Sequence, residues 1–135
     1  MAEVAMFVYG TLRPGQWNHS GDGEVRPPME GCTIEGRIYF VWDNSGYPVA
    51  KLDEEGRIIG DVLFLDDESS EYESIVRMER GAGYEPRDVA VRIEDEDGTV
   101  REFGAVAWHY IDKPRGELIR SGDWHREYLT NVFRD

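Results

Sequence analysis

The chain reads as an α+β protein, a curved and mostly β core with helices packed against it, on three observations. About six runs of apolar and β-branched residues recur at strand length. Only two segments carry the period of an amphipathic helix, and they stand far apart rather than alternating with the strands. No internal repeat or low-complexity linker divides the sequence, so its 135 residues are expected to form one domain, 1–135.

Val4 to Tyr9 is a short, nearly continuous apolar strand that Gly10 ends. From Pro14 to Gly31 the density of Pro, Gly, Asn, Ser and Asp predicts an irregular excursion. Strand signals resume over Thr33 to Val41, where Gly36 marks a bulge or a close backbone approach. A turn at Asp43 to Gly46 leads to Tyr47 to Leu52, an edge strand because Pro48 cannot donate to a central ladder. Arg57 to Leu65 is the next strand. Asp67 is then placed to N-cap a helix of about three and a half turns beginning near Glu68, with Gly81 closing it. Val89 to Ile93 and Phe103 to Tyr110 form two strands joined through the hairpin dipeptide Asp97-Gly98. Asp123 caps a last helix, Trp124 to Phe133, with Trp124, Tyr128, Leu129 and Val132 on one face.

Charge and cysteine content narrow the function classes. A net charge of −13, from 28 acids against 15 bases, argues against nucleic acid as a partner, because phosphate backbones need neutralising cations. Small-molecule substrates suit it better. The acidic runs at Asp53, Asp66 and Glu94 read as solvated turns, and none has the pattern of a calcium loop, so no metal site is expected. Cys32 is the only cysteine, which excludes an intrachain disulfide and suits a reducing, cytoplasmic setting; it reads as a buried thiol rather than a nucleophile. No apolar run reaches the ~18 residues of a membrane span, so no membrane association is expected.

Two features carry chemistry. On the first helix Tyr72, Ile75, Val76 and Glu79 stand at i, i+3, i+4 and i+7, which sets a carboxylate on the core-facing stripe. A desolvated Glu79 suits a general base near neutral pH; a salt bridge with Arg87, or a helix end facing water, fits the same spacing. In Tyr9-Gly10-Thr11-Leu12-Arg13 a buried strand breaks into a loop whose N–H groups lack an obvious ladder and can cradle an anion; an ordinary strand-ending turn has the same composition. Neither His109 nor His125 sits in a pattern that marks it for acid–base work.

Phe7-Val8-Tyr9-Gly10-Thr11-Leu12-Arg13-Pro14-Gly15 resembles the N-terminal signature of the gamma-glutamylcyclotransferase-like, or AIG2-like, proteins, and is nearest to the gamma-glutamylamine cyclotransferases. Further segments agree in order: Gly46-Tyr47-Pro48, the strand Ile59 to Leu65, Glu79 with Gly81 and Tyr84 behind it, and Ser121-Gly122-Asp123-Trp124. Two positions depart from the pattern: Ile75-Val76 replaces a Leu-Asp pair, and the Arg after Tyr84 stands three residues on, at Arg87, instead of two.

The resemblance implies a small mixed β-barrel flanked by helices, no metal or organic cofactor, and cyclisation of a gamma-glutamyl amine or peptide to 5-oxoproline. Glu79 would be the general acid/base. Tyr9, Gly10, Thr11 and Leu12 would hold the glutamyl group, with Tyr84 in the same pocket. Arg13 either attracts a carboxylate or reaches to water. Two alternatives stay open: removal of a gamma-glutamyl protecting group from a biosynthetic intermediate, and a non-catalytic module that keeps the glutamyl pocket. The leaving amine and the oligomeric state are not written in these residues.

Overall fold

The structure is a computed structural model that describes residues 2–10, 12–14, 21–41, 47–109 and 117–124. Eight strands and one helix lie among the described residues. Five strands make the larger sheet, in the spatial order β1 (Glu3–Val8), β5 (Arg57–Asp66), β2 (Glu24–Glu35), β6 (Glu85–Glu94) and β7 (Val100–His109). Neighbours pair antiparallel until β7 returns to β1, which it meets in parallel through Met6↔Val106 and Phe7↔Ala107, closing the ring. A second sheet holds β4 (Tyr47–Lys51), β3 (Arg37–Val41) and β8 (Glu117–Leu118), with β3 in the middle. Pro48 therefore lies on an edge strand, as its missing N–H requires.

Burial follows from the alternation of side chains along β1. Phe7 and Tyr9 point into the ring, where they join Ile34, Ile58, Val62 and Val91. Met6 and Val8 point outward and are covered by helix α1 (Ser70–Gly81), together with Leu63, Leu65 and Trp108. A strand buried on both faces reads as a continuous apolar run, which is why β1 is so plain in the sequence. Ile75 is the helix's buried anchor, and removing such a side chain from water contributes about 1.5–3 kcal/mol.

Four elements differ from the sequence reading. The second half of the expected excursion is strand: β2 begins at Glu24 and carries Pro27 and Pro28 through register shifts against β5, the bulges that let a donor-less residue sit in a ladder. Thr33 to Val41 is two strands in two sheets, because Gly36, at φ +148°, turns a corner whose inner side is pressed against the Lys51 carbonyl. The N-cap of α1 is Ser69, whose Oγ accepts from the Tyr72 N–H at 3.1 Å; Asp67 is drawn away to the Ala2 N–H at 2.9 Å. Gly81 is the last helical residue, and the closing glycine is Gly83, at φ +93°. The short β8 carries no strand signal of its own, being two residues long.

The expected turn at 43–46, and the final helix beyond Trp124, lie outside the described residues. The hairpin at Asp97-Gly98 stands where the dipeptide put it, with Gly98 at φ +85° and strands on either side longer than expected.

Candidate active site

The loop after β1 takes its shape from three contacts. The Tyr9 hydroxyl, deep in the ring, donates to the Trp108 carbonyl at 2.5 Å. Burial raises the Tyr9 pKa well above its ordinary value, helped by the charges of Tyr84 and Glu79, so this phenol stays protonated. Gly10 lies flat against the ring of Pro48; a Cβ there would stand 2.9 Å from Pro48 Cγ. The Arg13 N–H donates to the Gly10 carbonyl at 3.1 Å and closes a tight turn. Gly10 is buried, and among the described residues neither its N–H nor that of Leu12 has a partner. Thr11 lies outside the described residues. The Leu12 side chain packs with Ile75 in the layer beneath α1.

Glu79 is on the helix face that periodicity assigns it, with Tyr72, Ile75 and Val76 all turned into the layer beneath. Burial raises its carboxyl pKa to about 7, and desolvation is the sole cause. Among the described residues no ion pair ties it to Arg87, which is exposed on β6. The end of α1 explains how neighbours reach it. Gly83 N–H donates to the Arg80 carbonyl at 3.1 Å and Tyr84 N–H to the Glu79 carbonyl at 2.9 Å, the paired bonds of a helix closed by a left-handed glycine. That fold-back returns Tyr84 to the helix end, beside Glu79.

The Tyr84 hydroxyl donates to the Pro48 carbonyl at 2.6 Å. Pro48 thus touches both halves of the site, its ring against Gly10 and its carbonyl on Tyr84. Tyr84→Phe should cost about 1 kcal/mol, because the carbonyl loses its donor, and a chemical denaturation midpoint measures it.

The remaining candidates sort by their contacts. The Arg13 guanidinium, 15% exposed, is held by Asp61 at 2.8 Å and Asp123 at 3.0 Å. His109 is buried, with its pKa lowered by desolvation and by Arg87. Cys32 is fully buried, its Sγ facing the Met29 carbonyl at 3.5 Å and its pKa raised to about 11. Such a thiol is inert. A thiol reagent should label the native protein only at the rate of unfolding, and full labelling within the mixing time would overturn that.

Among the described residues no group of three or more His, Cys, Asp or Glu side chains is arranged to hold a metal ion. No helix there is long and apolar enough to cross a membrane. A cleft of about 360 Å³ opens on the flank of α1 beside Leu12, Ser74, Ile75 and Met78, but Glu79 does not line it. The candidate site therefore rests on the loop and the carboxylate rather than on that cleft. Sequence reasoning missed Pro48 as the piece joining them, although an aromatic-Pro step on an edge strand was visible.

Comparison with known proteins places this geometry in a family. Residues 6–126 match the family model described as gamma-glutamyl cyclotransferase, AIG2-like. The protein PH0828 of Pyrococcus horikoshii, named as a candidate gamma-glutamylcyclotransferase, is 32% identical over 126 residues, which cover 90% of each chain. Its crystal structure superposes with a TM-score of 0.67 over 96% of both chains. YkqA of Bacillus subtilis gives 0.69 at 24% identity, covering 99% of this chain and 44% of that one. A mouse AIG2-like protein gives 0.62 at 18% identity, covering 93% and 94%, which speaks for the fold alone. With the family model spanning the loop, Glu79 and the Ser121-to-Trp124 segment, the chain belongs to the gamma-glutamyl cyclotransferase, AIG2-like family.

Proposed function

We propose that this protein cyclises a gamma-glutamyl amine or peptide to 5-oxoproline and releases the amine or amino acid, with Glu79 as the proton carrier. The observation that carries the reading is the Glu79 carboxyl group, its pKa raised to about 7, close enough to Tyr9 to act on it and so beside a loop whose Gly10 and Leu12 N–H groups have no partner among the described residues. Family membership supports the reaction class.

The chemistry asks for little else. The ionised Glu79 takes a proton from the substrate's α-ammonium group. The freed nitrogen attacks the γ-carbonyl carbon, and the carbonyl π pair moves to oxygen. Protonated Glu79 then gives its proton to the amide nitrogen. The C–N bond breaks as the oxyanion collapses, and the ring nitrogen gives up its second proton to the departing amine by way of the same carboxylate, leaving 5-oxoproline, the amine as its ammonium ion and an ionised Glu79. A carboxyl group with a pKa near 7 can serve in both directions. The Gly10 and Leu12 N–H groups would receive the α-carboxylate or the developing oxyanion, and a donor lost from an oxyanion site costs roughly 3 kcal/mol. Holding the glutamyl chain bent, amine against carbonyl, supplies several kcal/mol more, on the order expected for intramolecular positioning. Tyr84 would line the pocket as the neighbour of Glu79, and Tyr9 would hold the loop from below.

The test is incubation of the purified protein with gamma-glutamyl amines, dipeptides and glutathione, following 5-oxoproline by mass spectrometry. Turnover of one class and not the others identifies the leaving group. Binding without turnover favours a module that keeps the pocket and overturns the enzymatic reading.

A further inference from the structure

Arg13 lies three residues past the glycine that shapes the loop, and its side chain is held at two points by parts of the chain far away. Its Nε donates to Asp61 Oδ2 at 2.8 Å and its Nη1 to Asp123 Oδ1 at 3.0 Å. Asp61 is 2% exposed and is itself fixed: it stands opposite Val8 in the β1–β5 ladder, and its second oxygen accepts from the Gly31 N–H at 3.0 Å. Asp123 is fixed through its neighbour, since the Gly122 carbonyl accepts from the Ile59 N–H at 2.8 Å. Both anchors therefore hang on β5. The Arg13 backbone N–H, in turn, bonds the Gly10 carbonyl.

We propose that Arg13 is a positioning residue of the candidate site: clamped by Asp61 and Asp123, it fixes the turn whose Gly10 and Leu12 amides receive the substrate's α-carboxylate. The inference rests on the proposed cyclisation and goes beyond it, because it assigns the loop's geometry to an ion-pair cluster that reaches across 110 residues to the Ser121-Gly122-Asp123-Trp124 segment. Two amides can share one carboxylate only if both point at it, and a displacement of about 1 Å is enough to cost on the order of 100-fold. A half-buried arginine with two carboxylates is a rigid means of setting that direction, since the planar fork fixes angle as well as distance.

Lysine at this position keeps the charge but is a single point donor, and Asp123→Asn weakens one arm while leaving the Asp61 arm whole. Steady-state kinetics of 5-oxoproline formation in Arg13→Lys and Asp123→Asn should show KM raised by about 10-fold or more, with kcat changed far less, because the amides hold the carboxylate equally in ground and transition states. The apparent pKa set by Glu79 should not move. A merely structural role lowers the fraction of folded enzyme, so kcat falls while KM stays; that outcome, or an unchanged KM in both variants, overturns the proposal and leaves the reaction standing.

If Arg13→Lys does not fold, Asp123→Asn alone decides. If the parent makes no 5-oxoproline, the reaction falls, and the clamp is read from the Gly10 and Leu12 amide resonances of isotope-labelled protein. Displacement of both in Asp123→Asn upholds the clamp, and resonances coincident with the parent's overturn it.

Discussion

Glu79→Gln should lower 5-oxoproline formation by about 10²- to 10⁴-fold, the range for loss of a general acid–base group, with little change in KM. The parent's kcat/KM should rise with pH through an apparent pKa of about 7, the pH at which the buried carboxyl group ionises, and that limb should vanish in the variant. Equal activity in both proteins would remove Glu79 from the mechanism. Stability gives an independent reading of the same residue. Its folded pKa, about 7, lies above the ordinary 4.5, so between those values the folded state binds more protons than the unfolded one. The parent therefore loses stability through this group as pH rises across that window. Glutamine has no such dependence. The stability of Glu79→Gln relative to the parent should thus increase between about pH 5 and about pH 8, and a constant difference in denaturation midpoints would contradict the raised pKa.

Gly122→Ala should be the most damaging conservative change away from the carboxylate. Gly122 has φ +76°, and a Cβ there would stand 2.0 Å from the Arg57 carbonyl oxygen. The left-handed backbone alone costs an alanine about 1 kcal/mol or more, and the clash is with main chain that cannot step aside. A loss of at least ~2 kcal/mol, seen as a fall in Tm on the order of 10 °C, is expected by calorimetry. Gly81→Ala is the matched control. Nothing lies within 4 Å of its added Cβ, and it is helical, so it should stabilise by about 0.5–1 kcal/mol. Similar Tm values for the two variants would show that the 121–124 segment is not seated on β5.

Local pattern made much of this legible. The face of Tyr72, Ile75, Val76 and Glu79, the edge position of Pro48 and the Asp97-Gly98 hairpin each follow from rules that act within a few residues, and each stands as read. Where a contact spans the chain, the local rules chose wrongly or not at all. Asp67 is as good a cap as Ser69 until the Ala2 N–H claims it. Gly81 and Gly83 both suit a helix end, and only the backbone angle separates them. Pro27 and Pro28 argue against strand, yet β5 offers a partner that tolerates bulges. Arg13 is the sharpest case: its partners are 48 and 110 residues away, and nothing near it in sequence distinguishes a clamp from a ligand contact.

The parallel seam between β1 and β7 also bears on how the protein comes to exist. β1 is made first but sits between β5 and β7, so its inner neighbours are synthesised long after it: Met6 waits for Leu63 on one side and Val106 on the other. Until then the strand has unsatisfied edges and two apolar faces, the state most exposed to misassociation on a nascent chain. The Tyr9–Trp108 bond cannot form before the seam does. The candidate pocket should accordingly assemble late in synthesis, after the seventh strand and the 121–124 segment have emerged, and a ribosome-stalled chain ending before Val100 should carry Glu79 and the Gly10 turn without an assembled pocket between them.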